Sequence, residues 1–194
     1  MKRSFQLLTV VLLGLAPAIL SAQAGFGIKG GVSYGNVSNR GVLPGSLSGR
    51  TGFAIGVALG SATSFMGLGI EGLYAQRGVR GATDGDSRKL DYADVPLYLR
   101  VMLPIPNLAP YAYAGPQMSF ELHCSAGSST CPPSDRPKRT TAAVLGGGVR
   151  VGPRSGFTLE GRYIYGLTDL KLNTITSSNS YKTRSFLILA GVAF

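Results

Sequence analysis

The chain has 194 residues, 28 of them glycine and none tryptophan, with 44% hydrophobic and only 14% charged positions and a formal net charge of +10. So little charge argues against an ordinary soluble surface, the length suits one domain, and two cysteines allow at most one disulfide. The basic balance asks for anionic partners, and the start of the chain decides their kind.

Lys2 and Arg3 form a basic start, Leu7 to Leu15 a short apolar core, and Ala22-Gln23-Ala24 a small-x-small site. This is the layout of a secretory signal peptide cut after Ala24, so residues 1–24 are read as a leader and 25–194 as one domain. The rival is an uncleaved anchor. Pro17 interrupts the apolar core, which falls short of the roughly 20 residues a spanning helix needs. Without Lys2 and Arg3, 17 basic residues stand against 9 acidic ones, about +8. Export removes nucleic acid from the partners. Basic loops facing anionic lipid or polysaccharide take its place.

Successive strand side chains point to opposite faces. Phe26 to Val37 sets Phe26, Ile28, Val32 and Tyr34 against Gly27, Lys29, Gly31 and Ser33, a first strand. Thr51 to Ile70 runs without a charge until Glu71, and Gly52, Gly56 and Gly60 stand at the spacing of a membrane-helix contact face. A helix would not sort large and small residues by odd and even number, as Phe53, Ile55, Val57 and Leu59 do here. The stretch is therefore a hairpin, turning at Ser61-Ala62-Thr63-Ser64 into a third strand, Phe65 to Arg77, with Glu71 opposite Met66, Leu68 and Ile70.

Strand four, Leu90 to Leu103, sets Val95, Leu97, Leu99 and Val101 against Tyr98, Arg100 and Met102. Strand five, Tyr111 to Glu121, sets Tyr111, Tyr113, Gln117 and Glu121 against Ala112, Ala114, Met118 and Phe120. His123 to Lys138 is read as the longest polar loop. Strand six, Thr140 to Val151, puts Arg150 on its polar face. Strand seven, Phe157 to Gly166, does the same with Glu160 and Arg162.

The chain ends YKTRSFLILAGVAF, where Phe186, Ile188, Ala190, Val192 and Phe194 make one greasy face and Ser185, Gly191 and Ala193 are small, with Leu187 and Leu189 between. An exposed strand of this kind would template aggregation in water. In lipid, paired on both sides, it closes a barrel.

The connections alternate long and short. That is the rhythm of an up-and-down transmembrane barrel with short periplasmic turns, long outer loops and an even strand number. The predicted fold is all-β: an eight-stranded antiparallel up-and-down transmembrane β-barrel with both termini in the periplasm. A soluble sandwich or lipocalin-like barrel would show the same alternation. Low charge, the apolar C-terminal strand and the loop rhythm favour the membrane.

Five stretches in this order carry a resemblance: GIKGGVSYGN (Gly27 to Asn36), DYADVPLYLRVML (Asp91 to Leu103), PYAYAGPQ (Pro110 to Gln117), LEGRYIYGLTDL (Leu159 to Leu170) and RSFLILAGVAF (Arg184 to Phe194). Over nearly all of the mature chain the sequence resembles the small outer-membrane β-barrel domain of Gram-negative bacteria, the group that includes PorT-like proteins. The resemblance implies an outer-membrane location and insertion by the barrel-assembly machinery, which reads the terminal strand. The residues expected to carry that signal are Phe186, Ile188, Val192 and Phe194. It also implies partners in a surface or secretion complex for some members, and no single activity.

Lys29, Glu71, Arg100, Arg150, Glu160 and Arg162 fall on the polar face, toward the lumen. Mixed charges in an eight-stranded barrel, just wide enough for side chains to fill it, are expected to pair into a plug. The sharper alternative is a narrow anion-preferring path, because bases outnumber acids in the set. His123, the only histidine, has Ser119, Glu121 and Ser125 near it, the residue types of a lipid hydrolase, and adjacency in a loop is weak ground for one. His123, Cys124 and Cys131 are too few for a closed metal site. Cys124 and Cys131 read instead as a small loop disulfide. Gly146-Gly147-Gly148 lacks the following Lys-Ser/Thr and helix of a phosphate loop and reads as space for packing. Tyr34, Tyr74, Tyr163, Tyr165 and Phe194 suit interfacial girdles. The reading is a non-enzymatic barrel with no cofactor and no metal.

Overall fold

A computed structural model describes residues 23–38, 48–62, 65–80, 88–126, 129–130, 138–152, 156–168, 170–171 and 180–194. Eight long strands dominate it. They are β1 (Gln23–Ser38), β2 (Ser48–Ala62), β3 (Met66–Arg80), β4 (Arg88–Met102), β5 (Leu108–Ala126), β6 (Arg139–Val151), β7 (Gly156–Gly166) and β8 (Ser180–Ala193). Two-residue segments, Ser129–Thr130 and Leu170–Lys171, pair with the loop-side ends of β5 and β8.

Each long strand pairs antiparallel with its sequence neighbour, and β1 pairs with β8. The barrel is closed and leaves no long edge to aggregate. Its seam runs from Gly27↔Ala193 to Ser38↔Lys182. Below it, Phe26 and Phe194 exchange both backbone hydrogen bonds, at 3.2 and 2.7 Å, and stack with ring centroids 6.5 Å apart. The pairing path from Ala24 through Ser61, Leu68, Leu99, Ala114, Leu145, Tyr163 and Phe186 comes back to β1 at Tyr34, ten residues along. A stagger of ten over eight strands fixes a tilt of about 40°.

Thr51 to Ile70 forms the β2–β3 hairpin rather than a helix. The strands run further than side-chain alternation suggests. β3 reaches Arg80, β4 begins at Arg88 and β5 continues to Ala126. His123, expected in a loop, lies in β5 opposite Asp91. The reason is backbone pairing, which continues through polar sequence that has no greasy face to announce it. At Asp91/Tyr92 the register shifts, and β5 carries one extra residue, Leu122, between the partners Glu121 and His123. This bulge reverses the facing of everything beyond it: Cys124 turns in and is buried, and His123 turns out.

The outer wall carries exposed apolar side chains, among them Ile28, Val32, Ile55, Val57, Leu68, Leu97, Leu99, Leu159 and Ile188. Phe26, Phe65, Phe157 and Phe194 ring the end that holds the termini and short turns. Tyr34, Phe53, Tyr74, Phe120, Tyr165 and Phe186 ring the other, loop end. An apolar wall between aromatic belts matches a bilayer core with its two interfaces.

Candidate functional site

The lumen holds a ring of four charges. Lys29 on β1, Glu71 on β3 and both Glu160 and Arg162 on β7 face inward. Lys29 Nζ donates to Glu71 Oε1 at 2.8 Å and to Glu160 Oε2 at 3.1 Å. Arg162 Nη2 donates to Glu71 Oε2 at 2.6 Å and to Glu160 Oε1 at 2.8 Å. Each base bridges both acids and each acid both bases, so the cycle is closed and neutral.

Three tyrosines complete it. Tyr98 donates to Glu71 at 2.7 Å, and Tyr111 and Tyr113 donate to Glu160 at 2.9 and 3.1 Å. Tyr113 also accepts from Arg162 Nε at 2.8 Å. Arg162 is fully buried and the two glutamates are 3% exposed. Ions so far from water persist only when their lone pairs and protons are met.

Glycine makes room for these tyrosines. Gly69 pairs across the ladder with Tyr98, and Gly146 with Tyr113. A Cβ on Gly69 would lie 2.5 Å from the Tyr98 ring, and one on Gly146 would lie 2.3 Å from the Tyr113 ring. Each ring therefore lies flat over its partner glycine and aims its hydroxyl at the barrel axis. The two rings are tilted against each other at 4.6 Å.

Two residues nearer the loops on β3 and β7, the lining turns apolar. Leu73, Val144, Ile164 and Leu187 are at most 3% exposed, and Pro96 is fully buried. Val144 pairs with Ile164, and Leu187 with Arg162, so this belt seats directly on the ring. Nearer the loops again come Asp94, Gln117, Ser119, Ser33 and Ser185, all buried. Arg77 pairs with Asp94 and lies over the Tyr92 ring at 5.3 Å, while Gln117 donates to Ser119 at 3.1 Å. A cavity of about 480 Å³ lies against β6, β7 and β8 and is lined by residues that include the wall's Val149, Phe157 and Ala190.

Of the six charges expected in the lumen, the structure brings four together. Arg100 stays at the terminal mouth over the Tyr111 ring, 5.8 Å from its centroid. Arg150 lies at the same mouth, beside Gly156 at the start of β7. The tyrosine donors and the belt of Leu73, Val144, Ile164 and Leu187 were missed as lumen contacts. For all but Leu187 the signal was present, since they share strand parity with inward-facing charged or polar residues, whereas the charges of β8, Lys182 and Arg184, have the parity opposite to Leu187.

Of the residues offered for a hydrolase, Ser119 and His123 are held apart. Ser119 is buried inside the barrel, while His123 is exposed on the far side of the bulge. No group of three or more potential metal ligands occurs among the described residues. Phe186, Ile188, Val192 and Phe194 line one outward face of the closing strand. Cys131, the expected partner of Cys124, and Met1 to Ala22 lie outside the described residues.

Known structures share this architecture. The outer membrane protein OprG from Pseudomonas aeruginosa superposes with a TM-score of 0.53 at 13% identity, over 89% of this chain and 97% of that one. Neisserial surface protein A gives 0.55 at 17% identity, over 88% and 97%. Ail, the attachment invasion locus protein of Yersinia pestis, gives 0.50 at 17% identity, over 89% and 99%. At such identities the likeness is one of fold. No curated protein matches the chain at a significant level. The family model for the outer membrane protein beta-barrel domain matches residues 5–194, so this chain, a closed barrel with an apolar wall and aromatic belts, belongs to the outer membrane protein beta-barrel domain family and is an outer-membrane protein.

Proposed function

We propose that the protein is a sealed, non-enzymatic barrel with a structural or accessory role in a surface or secretion assembly, the kind of role its PorT-like stretches suggest. One observation carries this reading: the closed ring of Lys29, Glu71, Glu160 and Arg162 under an apolar belt with almost no exposed surface. An ion crossing would have to break paired charges and then pass hydrocarbon side chains, at a cost of many kcal/mol. With the lumen occupied, the loop end is left to meet partners.

In this reading the leader is cut after Ala24, the termini face the periplasm and the barrel-assembly machinery reads the outward face of β8. The test is conductance of the purified protein in planar bilayers. The expected trace is flat. A stable ohmic step would overturn the sealed reading and restore the narrow anion path, for which Arg100→Glu would abolish the anion preference. A hydrolase is opposed by the separation of Ser119 from His123, and His123→Ala is expected to leave membrane lipid profiles unchanged.

A further inference from the structure

We propose that the terminal mouth of the lumen docks an acidic segment of a partner protein. Between the ring and this mouth the inward positions carry two more bases, Arg100 on β4 and Arg150 on β6, both half-buried. No acidic side chain joins them. Of the nine acids in the chain, Glu71 and Glu160 are spent in the ring. The other seven fall in the loop halves of strands or in the sequence between their loop-side ends. The sequence of the terminal turns, residues 63–65, 103–107 and 152–155, holds no acid and one further base, Arg154. Side-chain charge at this end is therefore of one sign, whereas the loop half sets Arg77 against Asp94.

The two arginines are placed to meet a ligand. Arg100 lies across the ladder from Gly67, and Arg150 from Ala109, so on one flank of each no bulky neighbour covers the stem. Arg100 pairs on its other flank with Tyr113 but covers the ring of Tyr111, two residues nearer the mouth. Tyr111 pairs in turn with Gly148, one inward position before Arg150. Arg150 runs beside Gly156, where a Cβ would lie 3.0 Å from its Nε. Among the described residues Arg100 has no ion pair, and its contact is the Tyr111 ring. A ring under a guanidinium holds the stem and leaves N–H groups for an outside acceptor.

The floor of this mouth is the ring itself. Lys29 keeps 10% of its side chain exposed, against at most 2% for its three partners. The apolar belt covers the loop side, so that exposed part opens toward the terminal mouth. A segment entering here meets a closed, neutral floor and goes no further.

The class of ligand follows from shape and charge. Arg100 and Arg150 face the lumen rather than the wall, so lipid headgroups outside the barrel do not reach them. An eight-stranded barrel is only wide enough for side chains to fill it. Its mouth admits one extended tail or loop, not the face of a folded domain. Guanidinium forks match carboxylates, and a field of one sign gathers an acidic chain at the opening.

This gives the barrel a second docking end, beyond the loop-end role proposed above. That the end is periplasmic rests on the proposed orientation. The binding chemistry does not, and an assay in detergent reads it alone. Protein purified with its leader removed would be titrated, in non-ionic detergent at low salt, into a fluorescein-labelled peptide alternating Glu and Ser. A second titration would use the counterpart alternating Gln and Ser, with anisotropy as the readout. The acidic peptide is expected to bind about tenfold more tightly than its neutral counterpart. Arg100→Gln and Arg150→Gln should each weaken it about fivefold, and together about twentyfold. Arg139→Gln, on the outer wall at the loop end, should leave binding unchanged. The heat-dependent gel shift should persist, because neither mouth arginine belongs to the ring.

If the glutamine pair does not fold, Ala109→Glu decides the case. It keeps both arginines and sets a carboxylate across the ladder from Arg150, and should weaken the acidic peptide about tenfold. Wild-type affinity in the folded glutamine pair or in Ala109→Glu overturns the proposal and assigns the peptide to the loop end. Equal binding of the neutral peptide also overturns it. Displacement by low millimolar inorganic phosphate at constant ionic strength does so in favour of a small-anion site. A barrel that conducts in planar bilayers yet loses the peptide in these variants would end the sealed reading and keep this one.

Discussion

The terminal half of the lumen holds four charges in a closed cycle. Both carboxylates of the cycle receive at least three donors, and within the cycle one nitrogen, Arg162 Nη1, goes without a partner. Among the described residues the loop half holds the pair Arg77 and Asp94, and leaves Asp94 Oδ1, Gln117 Oε1 and Arg77 Nε without partners. The apolar belt separates them. The difference is one of shared partners. In the ring every group is held by groups from other strands, so β1, β3, β4, β5 and β7 are tied at one level. In the loop half the pair ties only the neighbours β3 and β4, which the ladder already joins. The ring is a cross-brace of the whole cylinder, and the pair is a local clasp.

Breaking the brace should therefore have the largest effect. Arg162→Met removes one base from a fully buried site and leaves two glutamates sharing Lys29. Losing one partner of a buried ion pair costs about 3–5 kcal/mol. The check is the urea midpoint of the unboiled gel band in detergent, expected to fall steeply or with no folded band recovered. Glu71→Gln added to Arg162→Met should recover part of the loss, because the orphaned charge is removed with its partner. A midpoint unchanged by Arg162→Met would mean that the ring braces nothing.

The clasp gives a smaller effect and sharpens the contrast. Arg77→Ala leaves Asp94 buried but near the loop-end mouth, where water can reach it. A loss of about 1–2 kcal/mol is expected, seen as a modest shift of the same midpoint. Arg77→Ala with Asp94→Asn should return to within about 1 kcal/mol of wild type. A loss as large as that of Arg162→Met would place the brace in both halves and erase the distinction.

Much of the barrel could be read from alternation alone, because one buried and one lipid-facing side imposes a period of two on every strand. Inward parity follows from it, and so Lys29, Glu71, Glu160 and Arg162 were placed in the lumen. Which of them meet was not readable. Lys29 and Glu160 are 131 positions apart and touch because closure brings β1 within reach of β7. That depends on a stagger of ten residues, which no local pattern encodes. Leu187 and Leu189 misled for a related reason: on a strand with an apolar outer face they looked like more of the same, yet they fill the lumen. The bulge at Leu122 left no mark in composition, although it decides that Cys124 faces in and His123 out.

That bulge sets the smallest expected effect on the closed barrel itself. Cys124 lies beyond it, on the part of β5 that overhangs the end of β6, and it is buried. A bond to Cys131 would close a loop of about eight residues, which restricts the unfolded chain by about 2.5 kcal/mol at most. It would also lie outside the span that the ring braces. Reduction, or Cys124→Ser with Cys131→Ser, is therefore expected to leave the gel shift intact and to move the urea midpoint by less than that ceiling. What should change is the rate at which trypsin cuts after Lys138 in the intact barrel, measured by mass spectrometry of the fragments. A faster cut with an unchanged midpoint would assign the bond to loop order alone. If reduction abolished the gel shift, stability would extend past the bulge, and the brace could no longer be confined to the terminal half.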